Sequence, residues 1–118
     1  MIKEAYCSFE VSKLLKEKGF DEPCCGRYSI RSKEFHLDCT KMCNNGGLFE
    51  CAAPTHQMAM AWLREKFGFH IYTFYENKFH WHYVIDSLTK KWRYSVSENK
   101  SNDKAIEAAL KYTLKNLI

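Results

Sequence analysis

Cysteine and histidine are the residues in this chain best suited to chemistry. Cys7, Cys24, Cys25, Cys39, Cys43 and Cys51 all lie in the first half. Zinc takes four soft or borderline ligands in a tetrahedron, and ligands two to four residues apart can supply half a site. His36-x2-Cys39 and Cys39-x3-Cys43 have that spacing, and Cys24 could complete the set. Against this, Cys24 and Cys25 are adjacent, an awkward ligand pair, and no CxxC occurs. Zinc is therefore the one cofactor the spacing allows, and cysteines serving as small buried apolar groups are the plainer reading. Cys51, just after Gly46-Gly47, could be a nucleophile activated by His56, but no local catalytic signature surrounds it.

The second constellation is FHIYTFYENKFHWHYVID, from position 69 to 86. It reads as two strands. A three-residue turn pairing Tyr75 with Phe79 would place His70 opposite Val84, Tyr72 opposite His82 and Phe74 opposite His80. His70, Tyr72, Phe74, His80 and His82 then share one sheet face as a candidate binding surface. Histidines at i and i+2 of a strand project the same way and suit a shared metal, yet Asp86 is the nearest carboxylate and His70 lies two pairs from His82. The plainer expectation is a half-exposed face, or one covered by the N-terminal half or a second subunit.

Other signatures are missing: GxGxxG, a phosphate loop, GxSxG and HExxH do not occur. The net charge is +4, with eight basic and eight acidic groups in residues 1–50 and ten against six in 51–118. Nucleic-acid binding is a weak alternative, because the basic residues are not tightly clustered. Around Lys90, Lys91 and Arg93, strand alternation sends Trp92 and Tyr94 the opposite way from the charges. The opening residues hold no apolar run long enough for a signal-peptide core, and no stretch approaches a membrane span, so a cytoplasmic location without membrane contact is expected. In that reducing setting the cysteines are expected as thiols or metal ligands rather than disulfides.

These residues need elements to position them. At 118 residues, 46% hydrophobic and 15% aromatic, the chain is expected to be a single domain. Ser8 can cap a helix over about 9–18 that Gly19 ends, with Val11, Leu14 and Leu15 on its apolar side. Arg27–Ile30 and Glu34–Cys39 suggest a hairpin, and Thr40–Gly47 a long loop. A helix opened by Pro54 or Thr55 and closed by Gly68 carries the stripe Met58, Ala59, Trp62, Leu63, Phe67. Strands follow at Phe69–Tyr75, Phe79–Asp86 and Lys91–Ser97, then a helix from Ser101 or Asp103 with Ile106, Ala109, Leu110, Thr113, Leu114 and Leu117 on one side. Phe69, Ile71, Thr73, Trp81, Tyr83, Ile85, Trp92, Tyr94 and Val96 would form an aromatic wall beneath helices. The expected class is α+β: a three-stranded antiparallel C-terminal meander, extended by the N-terminal hairpin, with helices packed on one face. Replacing Trp62 or Trp81 by Ala is expected to cost on the order of 3–5 kcal/mol if each is buried.

The segments CAAPTHQMAMAWLREKFGFHIYTFYENKFHWHYVID and AIEAALKYTLKNLI resemble small uncharacterised proteins of Bacteroides-type phages and prophages. The resemblance covers mainly the second half and leaves out the cysteine-rich middle. It implies a short accessory protein acting by binding, and brings no catalytic residues with it. The functional expectation is thus a non-catalytic domain with a protein partner or a second copy of itself, possession of an enzymatic activity being left open. The alternatives are a zinc- or nucleic-acid-binding module and a small cysteine- or histidine-dependent enzyme.

Overall fold

The computed structural model describes residues 3–77 and 80–118, and the side chains of all of these except Ser97 and Glu98. The protein is α+β, with three α-helices and two three-stranded antiparallel sheets. Its contacts gather into two compact units, residues 1–57 and 58–118.

The first unit opens with α1 (Phe9–Glu17), whose N-terminus is capped by the Ser8 hydroxyl accepting from the Val11 N–H at 3.2 Å. Val11, Ser12 and Leu15 are its buried side, and Gly19 ends the helix at φ +92°. Strand β1 (Gly26–Ser29) is central, with β2 (Phe35–Leu37) on one side and β3 (Glu50–Ala52) on the other. The expected hairpin is present, with Arg27 opposite His36. Its strands do not extend the C-terminal meander, however. They build a separate sheet with β3, which pairs Tyr28 with Cys51. The third strand is three residues long with no β-branched run, so neither alternation nor propensity marks it. Tyr6, Phe9, Tyr28 and Phe35 form a chain of ring contacts at 5.3 to 5.7 Å.

The second unit begins within α2 (His56–Phe67), which buries Ala59, Trp62 and Leu63 while Met58 stays exposed. Gly68, at φ +75°, turns the chain into β4 (Phe69–Asn77), followed by β5 (His80–Ser87) and β6 (Arg93–Asn99) in meander order. The observed pairs are Ile71 with Ile85, Thr73 with Tyr83 and Tyr75 with Trp81. This frame is two residues from the one expected, with an irregularity between Tyr75 and Asn77. The expected Tyr75–Phe79 turn pair itself falls on residue 79, outside the described residues. The β5–β6 frame is displaced by two as well, pairing Ile85 with Tyr94 and Tyr83 with Val96. A second irregularity lies between Trp81 and Tyr83; because side chains alternate with period two, a displacement of two leaves those in the regularly paired stretches on their expected face.

The wall is real at its centre and open at its ends. Ile71, Tyr83 and Ile85 are buried, Trp81 and Trp92 are half-buried, and Tyr75 is exposed. Helix α3 (Asn102–Tyr112) packs on all three strands, capped by Ser101. It buries Ala105, Ile106, Ala109 and Leu110, and stacks Tyr112 on Tyr94 with centroids 4.3 Å apart. The chain closes in a wide turn over Thr113–Leu117, where Thr113 and Leu114 remain buried.

Candidate functional site

On the face of the meander opposite α3, the two-residue displacement decides which groups meet. His70 stands opposite Asp86, Tyr72 opposite Val84 and Phe74 opposite His82. The Phe74 and His82 rings stack with centroids 4.5 Å apart and planes 8° from parallel. The His82 Nε2 lies 2.5 Å from the Glu76 Oε2, and the hydrogen bond between them, the largest influence, holds the Glu76 carboxyl below its ordinary range. His80 turns to Asn77, its Nδ1 2.8 Å from the amide oxygen. His70 instead neighbours the Tyr72 ring at 5.5 Å.

Each of the three histidines therefore has its own neighbour, and among the described residues no three His, Cys, Asp or Glu side chains gather where they could hold a metal ion. Asp86 is likewise engaged: the Arg93 Nε donates to its Oδ1 at 2.7 Å, and this bond raises the Arg93 pKa. The centre of the face is covered, Val84 being buried, whereas Phe74 is 46% exposed. Of the five residues expected to form a binding surface, Phe74, His82 and, at the hairpin end, His80 stand nearest one another, with His70 and Tyr72 further along. Glu76 is the partner that sequence reasoning missed. The signal that could have found it is the i, i+6 separation from His82 across a tight hairpin.

The cysteine-rich region is arranged differently from expectation. Cys25 and Cys39 are joined in a disulfide with their Cα atoms 4.3 Å apart, where thiols had been expected. The physical reason is the β1–β2 pairing, which runs on past the strand ends: the Asp38 N–H donates to the Cys25 carbonyl at 2.9 Å, bringing Cys39 alongside. His36 sits on β2, exposed, with Glu34 3.9 Å away. Cys24 and Cys43 form an antiparallel bridge, exchanging backbone hydrogen bonds of 2.8 and 2.9 Å. Thus Cys24, Cys39 and Cys43 come to one end of the small sheet, and the nearest neighbour of Cys39 is Cys25 rather than His36. Burial, reinforced by Cys43, pushes the Cys24 thiol up to about 12.

Cys51 is fully buried on β3, and burial raises its pKa, the wrong direction for a nucleophile. His56 is buried at the start of α2. No helix among the described residues is long and apolar enough to cross a membrane. Compared with known proteins, the chain matches no family model, no curated protein and no solved structure.

Proposed function

We propose that the protein is a non-catalytic binding domain that works through a protein surface, in the first instance by pairing with a second copy of itself across the hairpin end of the β4–β5 face. One observation carries this reading: Phe74 is 46% exposed and held flat against His82, on a strand with one edge unpaired by the rest of its sheet. A ring fixed in place and left in solvent loses little side-chain freedom on docking, and an open strand edge offers backbone donors and acceptors to a partner. A cytoplasmic accessory role is in keeping with this, and the resemblance to small phage and prophage proteins supports it.

Light scattering tests the proposal. The expected mass is near twice 14.0 kDa for the wild type, falling to a single chain for Phe74→Ala. A wild-type mass of one chain at all attainable concentrations removes the self-association reading.

A further inference from the structure

We infer that the end of the small sheet in the first unit is a redox-gated zinc site, in which Cys24, Cys25, Cys39 and Cys43 bind one Zn²⁺ once the Cys25–Cys39 disulfide is reduced. The topology makes the case. Strand β2 leaves along one side of β1, and the chain turns at Cys39-Thr40 and crosses the end of β1. It then meets Cys24 at Cys43 before β3 runs along the other side. Two separate pairings, Cys24 with Cys43 and Cys25 with Cys39, thereby place four cysteines at one strand end.

The geometry suits zinc. A mutually hydrogen-bonded antiparallel pair has Cα atoms about 5.5 Å apart with both side chains on the same face, and the second pair is at 4.3 Å. Around a tetrahedral zinc with Zn–S near 2.3 Å, sulfurs sit about 3.8 Å apart, a span that side-chain rotation reaches from both pairs. Adjacent cysteines in a regular strand would point to opposite faces. Here the chain bends at Cys25, before β1 begins at Gly26, and the alternation is interrupted at the point where both sulfurs are needed.

Contacts other than the disulfide also hold the frame around the cysteines. Arg27 Nη1 donates to the Lys41 carbonyl at 3.0 Å, and its guanidinium lies 3.9 Å from Asp38 and 3.7 Å from Glu50. Asp38 accepts from the Thr40 N–H and hydroxyl at 3.0 and 2.6 Å, and Asn45 bridges the Phe20 carbonyl and the Ala52 N–H at 2.7 Å each. The loop therefore has supports of its own in the metal-free chain, and Arg27 supplies positive charge near a tetrathiolate that carries two negative charges with zinc bound. While Cys25 and Cys39 are joined, only two free thiols of the four are left to offer, and no group of three ligands stands ready among the described residues.

The chemistry balances with a thiol reductant such as glutathione. Two reductant thiols give up two electrons and two protons to the S–S bond, yielding their own disulfide and the protein's two thiols. Zinc then displaces the four thiol protons to form four Zn–S bonds. Deprotonation of Cys24, which burial and Cys43 oppose, is favoured once the cation is bound.

The test uses the full chain and cobalt as a visible reporter. Unfolded without reductant, the protein should show four titratable thiols, Cys7, Cys24, Cys43 and Cys51. Reduced and folded, it should take up about one equivalent of Co²⁺ with the visible bands of tetrahedral sulfur coordination, and Zn²⁺ should displace it. The oxidised protein should take up none, and Cys43→Ser, at a half-exposed position, should bind at least about tenfold more weakly. The inference is overturned if the reduced wild type, folded by circular dichroism, gives no cobalt bands. It is equally overturned if the oxidised protein binds as well as the reduced, or if Cys25→Ser/Cys39→Ser binds undiminished.

Discussion

A Cβ built on Gly26 would lie 2.7 Å from the Ala53 carbonyl oxygen and 2.9 Å from the Phe35 ring, closer than real contacts allow. Gly19 has nothing within 4 Å of such an atom but sits at φ +92°. Gly26→Ala should therefore cost about 1–3 kcal/mol through overpacking against backbone that cannot yield, and Gly19→Ala about 1 kcal/mol through backbone strain alone. Denaturant midpoints with unchanged slopes would separate both from a change in cooperativity. At Glu76 the effect is one of pH. Its folded-state pKa is lowered by the hydrogen bond to His82, so the unfolded chain holds the proton more readily. The stabilisation is then present above the ordinary carboxyl value of about 4.3 and fades as pH falls through the lower folded value. The melting temperature of Glu76→Gln should lie below wild type near pH 6, and the gap should close once the pH falls below the lowered folded value. A gap that persisted in acid would show that the pair contributes something other than charge. The Glu76–His82 pair was not legible: alternation tells which face His82 occupies, but the partner at that spot depends on the register of the turn.

The elements were more legible than their partners. Ser8, Gly19, Gly68 and Ser101 mark helix ends by backbone chemistry that acts within a turn, and the structure uses all four. The 3.6-residue stripe of α3 was equally plain, since Ile106, Ala109, Leu110, Thr113 and Leu114 all end buried. Strand β3 was hidden because only tertiary pairing makes Glu50–Ala52 a strand. Burial along the wall was hidden too, because composition cannot say how far a helix reaches. Leu110→Ala, at a fully buried position, should cost about 2–5 kcal/mol, and Ser101→Ala about 1 kcal/mol from the lost cap. Trp62→Ala should fall within the expected 3–5 kcal/mol, while the half-buried Trp81 should cost clearly less. Urea unfolding of the matched pair, showing equal losses, would contradict the open-ended wall described above.

For the molecule as a whole, the Cys25–Cys39 bond closes a loop of about 15 residues, for which chain entropy gives roughly 3 kcal/mol. Cys25→Ser/Cys39→Ser, measured without metal, should lose about that much, and reduction of the wild type under the same conditions should match it. Compartment reasoning led away from this bond because it weighs where a protein resides, whereas the hairpin weighs only distance. The meander carries a consequence of a different kind. Its strands sit two residues from the simplest pairing and yet, along their regular stretches, keep their side chains on the intended face. Insertions or deletions within the paired strands are therefore governed by parity. Even changes slide one strand along the other and leave inside and outside as they were. Odd ones turn the side chains beyond them to the wrong face unless a bulge like that between Tyr75 and Asn77 absorbs the extra residue. Among diverging copies of this chain, β4 and β5 should change length in steps of two.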